Sequence, residues 1–160
     1  MTDKNRYALF CNMIEELDTA YALIGEYDSQ LHDYNGVILY QAESQLIKII
    51  GNFPGISANE CAHILKKTLS ACSQLIKKLR IKSWVRQERN ELNNRVYNLY
   101  LTDEGKMIYE NHKVFEEGCY RRTYSLLDSF SEEDFSTFIR IQQQINQGFR
   151  LDVEDSKTLL

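Results

Sequence analysis

SANECAHILKKTLSACSQLIKKLRIK (57–82), followed after Ser83 by WVRQERNELNNRVYNLYL (84–101), is the stretch whose reading decides the fold. Ser57 with Glu60 three residues on is a capping box, so a helix starts there and runs to about Leu65, burying Ala58, Cys61, Ala62 and Leu65. Thr68 caps a second helix that runs to about Lys82. Its Cys72, Leu75, Ile76 and Leu79 fall at i, i+3, i+4 and i+7 and form one buried stripe. At ~100° per residue the opposite face carries Ser70, Gln74, Lys77 and Lys78, with Ala71 and Ser73 at its edges. Residues 84–89 and 95–101 then alternate like strands around the polar tip 90–94, which predicts a β-hairpin.

The charge of this stretch sets it apart. Nine Lys/Arg (Lys66, Lys67, Lys77, Lys78, Arg80, Lys82, Arg86, Arg89, Arg95) stand against three acids (Glu60, Glu88, Glu91), a local charge of +6. The remainder carries 10 basic and 20 acidic residues, so a chain with net charge −4 conceals a basic module. Such a module is the electrostatic footprint of a polyanion binder. The exposed face of the second helix fits that role. Small residues permit close approach to a groove, Gln reads a base edge, and Lys reaches phosphate or guanine. Most polar helix faces are merely solvated; the helix before this one and the hairpin after it favour recognition. Arg86, Arg89 and Arg95 lie on or beside the hairpin. An arginine at its tip suits the minor groove, where the potential is most negative. Arg86 reads equally well as an ordinary surface arginine.

Outward from this stretch the chain is mostly helical. Its 160 residues, 43% hydrophobic and 26% charged, suit one globular domain with a real core. Residues 5–30 carry Phe10, Met13, Ile14, Leu17, Ala20, Tyr21, Ile24 and Tyr27 at helical steps. That is more apolar surface than one small domain covers, and it points to a subunit interface. Residues 31–40 read as a loop with a turn at Asn35-Gly36. A helix over 41–52 places Ala42, Leu46, Ile49, Ile50 and Phe53 on one face and ends at Pro54-Gly55. Thr102 caps a long helix toward Phe130, and Ser131 opens a last one that ends near Gly148. Residues 150–160 read as a frayed acidic tail. No apolar run approaches the ~20 residues that span a bilayer, and residues 1–6 lack a secretory signal. The expectation is a cytoplasmic protein with no membrane partner.

Glu60-Cys61-Ala62, Ser83-Trp84-Val85, Asn93-Asn94-Arg95 and Leu101-Thr102-x-x-Gly105 together carry a resemblance. In these motifs the chain resembles the MarR family of bacterial winged-helix transcription regulators, over about 41–106 by motif and throughout by helix order. The resemblance implies a mostly α fold with a small β-hairpin wing: a winged helix-turn-helix lobe over 41–101 in a single domain of 1–160. The flanking helices, over 5–35 and 103–148, would be dimerisation helices. It further implies a homodimer on double-stranded DNA, whose two-fold symmetry asks for a pseudo-palindromic operator with half-sites about one helical turn apart. The residues expected at DNA are Thr68, Ser70, Ala71, Ser73, Gln74, Lys77, Lys78, Arg86, Arg89, Asn93 and Arg95. Three departures stand out. Lys66-Lys67 replace the usual Gly and aliphatic residue. Ser83 replaces Gly, which brings any positive φ there into question. Asn93 replaces the wing Asp, which takes from Arg95 a charged partner that helps aim it.

Members of the family respond to small phenolic ligands or to oxidants. A small aromatic effector would have the tyrosines, Phe10 and Phe115 to line its cavity, although an aromatic core is the plainer use of most of them. Thiol sensing through Cys11, with Cys119 in the long C-terminal helix as its resolving partner, is the alternative the resemblance adds; it requires a depressed thiol pKa. The four cysteines otherwise read as free thiols, several of them buried. His112 and Glu116, at i and i+4, make no specific metal motif, and the histidines read as surface residues; no metal or cofactor is expected. A Gly-rich phosphate loop, a Gly-x-Ser-x-Gly and a compact acid–base set are all missing, so the chain does not read as an enzyme. The rival from another class is a winged helix used only for protein–protein contact, against which the +6 module speaks.

Overall fold

The computed structural model describes residues 3–158; Met1, Thr2 and the last two residues of the expected tail, Leu159 and Leu160, lie outside it. The elements in order are α1 (Asp3–Ser29), β1 (Leu31–Asp33), β2 (Ile38–Tyr40), α2 (Gln41–Asn52), α3 (Ala58–Ile64), α4 (Leu69–Ile81), β3 (Val85–Arg89), β4 (Tyr97–Leu101), α5 (Asp103–Ser125) and α6 (Glu132–Lys157). The chain divides into two units, one through Glu116 and the other from Glu117 onward, so the boundary falls inside α5. No described helix is long and apolar enough to cross a membrane.

The core of the first unit is the winged-helix lobe. Leu46, Ile47, Ile49 and Ile50 of α2 pack with Cys61, Ala62, Cys72, Ile76, Leu79, Val85, Leu99, Leu101 and Ile108. Phe53, expected on the buried face of α2, is instead 55% exposed. The helix ends at Asn52, and the chain there turns away from the apolar stripe. The caps predicted for α3 and α4 both form. The Ser57 hydroxyl accepts the Glu60 amide while the Glu60 carboxylate accepts the Ser57 amide and hydroxyl, bonds that lower the Glu60 pKa. Thr68 accepts the Ala71 amide. Burial pushes the Cys61 thiol up to about 12 and raises that of Cys72, so both behave as small apolar core residues.

Lys66 and Ser83 answer the question about the missing glycines. Both adopt positive φ, 51° and 61°. At each, the amide of the left-handed residue reaches back to a carbonyl of the helix (Lys66 to His63, Ser83 to Arg80). The next amide reaches one residue further (Lys67 to Ala62, Trp84 to Leu79). These are two Schellman C-caps, the motif that makes Gly the favoured residue at this position. Without Gly each costs about 1–2 kcal/mol in left-handed strain, and the paired bonds hold the geometry regardless. The turn chemistry therefore survives the substitutions that brought it into question.

β3 and β4 pair antiparallel, Val85 opposite Leu101 and Arg89 opposite Tyr97. The α2–α3 loop adds to this ribbon: the Gly55 amide donates to the Leu99 carbonyl and the Leu99 amide to that of Ile56. Where the wing rejoins the helices, the Thr102 amide donates to the Trp84 carbonyl and the Thr102 hydroxyl donates to that of Ser83, while accepting from the Gly105 amide. The Leu-Thr-x-x-Gly step is thus a knot between α4, the wing and α5.

Residues 31–40 are not the plain loop expected. β1 and β2 pair as a hairpin, His32 opposite Leu39. Asn35 and Gly36 both take positive φ, the requirement of a tight two-residue hairpin turn, and Asp33 accepts the Gly36 amide at 2.6 Å. The hairpin brings His32 and Tyr34 against His112 and Phe115, with Tyr34 and Phe115 rings 5.0 Å apart. His32 and His112 are buried, contrary to their reading as surface residues: His32 is covered by Tyr27 of α1 (rings 4.1 Å apart) and by Phe115, and His112 packs on the Tyr34 ring of the hairpin. His112 Nδ1 is buried with no hydrogen-bond partner among the described residues. Burial, helped by Lys48 and opposed by Glu116, lowers the His112 pKa. A histidine held neutral when folded takes up a proton more readily when unfolded, so stability is complete above about 6.5 and falls as pH drops toward the folded pKa. A His112→Phe variant is expected to flatten that acid limb in thermal melts taken from pH 8 to 5. An unchanged slope would assign the limb to other groups.

In the second unit α5 ends at Ser125, earlier than expected, and Ser131 opens α6 with a capping box to Asp134. α6 continues to Lys157 instead of stopping near Gly148, so residues 150–157 are helix and not a frayed tail. One Gly costs only about 1 kcal/mol in a helix interior, and Phe149 and Val153 carry the apolar pattern on at i, i+4. No residue of α6 is buried, nor any described residue of α1.

Candidate nucleic-acid interface

α4 turns its Cys72–Ile76–Leu79 stripe to the core and leaves Ser70, Ala71, Ser73, Gln74, Lys77 and Lys78 exposed, as its spacing requires. Thr68 is exposed as well, although its hydroxyl is committed to capping. The cations of this helix are not equivalent. Glu43, buried at the start of α2, accepts the Tyr40 amide with one oxygen and faces α4 with the other. Lys82 Nζ lies 3.2 Å and Lys78 Nζ 4.0 Å from that second oxygen. Lys82 also sits over the Trp84 ring, 4.6 Å from its centroid. Glu43 therefore ties the C-terminal end of α4 to α2 and neutralises part of its charge. Lys77, one residue from Lys78, points outward instead.

On the wing, Arg86 is engaged with the Glu88 carboxylate and stacks over Tyr100, 4.5 Å from its centroid. Arg89 and Arg95 are exposed at the tip. The tip is built by asparagines. Asn90 Oδ1 accepts the amides of Leu92 and Asn93 at 3.0 and 2.9 Å, and Asn90 Nδ2 donates to Asn98 Oδ1. Asn93 Oδ1 accepts the Arg95 amide at 3.0 Å. Asn93 thus positions Arg95 through its backbone, in place of a charge on its guanidinium. The outward face and the wing tip belong to one unit.

Other expected residues are placed differently. Cys11, half-buried on α1, and Cys119, half-buried on α5, fall in different units and are free thiols. Phe115 packs in the aromatic core, while Phe10 is 45% exposed beside Tyr7. Glu116, half-buried, takes Lys48 Nζ at 2.6 and 2.7 Å. Among the described residues no group of three or more His, Cys, Asp or Glu is placed to hold a metal. Glu43, Asn90 and the Lys48–Glu116 pair escaped the sequence reading. Only Asn90 carried a local signal: a side-chain acceptor two and three residues before amides it can satisfy.

No family model matches the chain. YybA of Bacillus subtilis, described as an uncharacterized HTH-type transcriptional regulator, is 26% identical over 109 residues, 68% of this chain and 70% of that one. The crystal structure of Streptococcus pneumoniae FabT in complex with DNA superposes with a TM-score of 0.61 at 21% identity, over 92% of this chain and 98% of that one. Lactococcus lactis ZitR, a zinc-responsive MarR family member, gives a TM-score of 0.72 at 20% identity, over 88% and 99%.

Proposed function

We propose that this chain, which has the winged-helix fold of the MarR-family regulators, is a homodimeric, sequence-specific regulator of transcription that binds double-stranded DNA. One observation carries the reading. The +6 stretch of an otherwise acidic protein displays small side chains, Gln74 and the outward Lys77 on one exposed helix face, with two exposed arginines on the wing beside it. α4 enters the major groove, where Gln74 contacts a base edge and Lys77 a phosphate; the wing tip reaches the adjacent minor groove. Binding, with no bond made or broken, is the chemistry these groups supply. The solved DNA complex of FabT, on the same fold, supports the choice of partner.

The dimer rests on apolar surface that one copy leaves uncovered. Leu9, Phe10, Tyr21, Leu23 and Ile24 of α1 are 45–81% exposed, and Phe138, Ile139, Phe149, Leu151 and Val153 of α6 are each about half exposed. Surface of that extent on a soluble regulator marks an interface. Two copies related by a two-fold axis present two α4 helices, and so call for a pseudo-palindrome that the bound dimer occludes.

Selection of bound sequences from random DNA with the purified protein tests the reading. The expected product is an inverted repeat with half-site centres about one turn apart; no enrichment over input would overturn it. On the selected site, Gln74→Ala is expected to lose about 1–3 kcal/mol, concentrated at one base position of each half-site, measured by competition with single-base variants.

A further inference from the structure

The wing tip displays a side chain that neither folding nor charge explains. Leu92 is 98% exposed, the highest exposure among the large apolar side chains described. A single surface leucine is unremarkable on a mobile loop. This one is held. Its own amide is bound by Asn90 Oδ1, the Asn93 amide by the same oxygen, the Arg95 amide by Asn93 Oδ1, and the loop is closed by amide–carbonyl bonds from Asn90 to Val96 and from Val96 to Asn93. The backbone that carries this apolar group is thus held by hydrogen bonds, in the loop beyond the Arg89–Tyr97 pair and between Arg89 and Arg95 in sequence.

The minor groove offers such a group something specific. Its walls are the apolar edges of the sugars, and leucine is among the side chains that wedge against or between base steps there. The resistance to such a wedge depends on sequence, being least at pyrimidine–purine steps. From the full exposure of Leu92 on a hydrogen-bonded tip that also carries Arg95, we infer that Leu92 is a specificity residue of the wing: it buries in the minor groove flanking each half-site and makes affinity depend on the deformability of the base step there. The inference rests on the DNA-binding reading and deepens it. Arg89 and Arg95 hold the wing to the backbone and groove, and Leu92 reads a step that no hydrogen bond reads.

The test repeats the selection from random DNA with full-length wild-type protein and with Leu92→Ala and Leu92→Met variants. All three should fold alike, because the side chain touches nothing in the free protein. Wild type and Leu92→Met are expected to enrich pyrimidine–purine steps in the flanks; Leu92→Ala should keep the central inverted repeat and lose the flank preference. On the wild-type site Leu92→Ala should bind about 10²-fold more weakly, about ten-fold for each copy whose apolar side chain is no longer buried. Its salt dependence should be unchanged, since no charge is removed. Equal affinity and equal flank preference in Leu92→Ala would overturn the assignment while leaving DNA binding intact. Failure of wild-type protein to enrich any sequence would overturn both.

Discussion

Raising salt from 50 to 200 mM is expected to weaken the complex with the selected site by about 10³-fold. The expectation follows from which cations are available. Lys78 and Lys82 share the buried Glu43 carboxylate, and Arg86 is engaged with Glu88. The exposed cations of the module that form no such ion pair among the described residues are Lys66, Lys67, Lys77, Arg80, Arg89 and Arg95. If half of them reach phosphate in each of two copies, about six counterions are released and the log–log slope is about −5. The acidic remainder of the chain does not cancel this. At such salt the Debye length is about 10 Å, so charges beyond the module are largely screened from the contact. Anisotropy titrations at four salt concentrations give the slope directly. Lys77→Ala should make it shallower by about one per copy and weaken binding across all sequences alike. A slope near zero would sink phosphate-led binding and favour a winged helix used for protein contacts.

The helix pair and wing were legible in the sequence because their signals are local: Ser57 with Glu60, Thr68 before a stripe at i, i+3, i+4 and i+7, and alternation either side of the asparagine-rich tip. The charge of the module was legible too, but not its distribution. Glu43 meets Lys82 39 positions away, and nothing near either residue announces the other. His112 looked like a surface residue because the hairpin that covers it has strands of only three residues, too short to show a period. Asn35-Gly36 did carry the turn signal; what failed was its weight against so little strand. At Gly148 a residue read as a stop is simply tolerated within a longer amphipathic helix. Lys66 and Ser83 teach the reverse. The residue favoured for positive φ is missing, and the capping bonds impose the conformation anyway.

Gly105 permits no such latitude, and Gly105→Ala is expected to be the most destabilising single-methyl change in the lobe. A Cβ at Gly105 would lie 2.0 Å from the Trp84 carbonyl oxygen and 3.0 Å from its carbon. That carbonyl is backbone, fixed by the Thr102 amide on one side and by the Schellman cap at Ser83 on the other. It cannot rotate away as a side chain would, so relief requires moving α5 from the α4–wing joint by an ångström or more. Overpacking of a rigid site costs about 1–3 kcal/mol and occasionally more; with backbone as the obstacle, about 3 kcal/mol is expected. For a domain of this size that lowers Tm by about 6–12 °C. Gly51→Ala is the informative comparison. There the added Cβ meets the Tyr109 ring at 2.5 Å, an equally impossible distance but against a side chain. Because Cγ of the ring is itself within 2.9 Å, relief means turning the whole Tyr109 side chain about its Cα–Cβ bond, out of its packing against the core and off its 2.6 Å bond to Asn52 Oδ1, which costs more than that exposed bond alone but leaves the backbone in place. Thermal melts should therefore rank Gly105→Ala well below Gly51→Ala, and Gly51→Ala below wild type. Because the Trp84 carbonyl is where the wing joins α4, Gly105→Ala should also weaken DNA binding at temperatures where the variant is still folded, whereas Gly51→Ala should not. If the two variants melt together, the knot at Trp84, Thr102 and Gly105 is not the rigid joint that aims the wing.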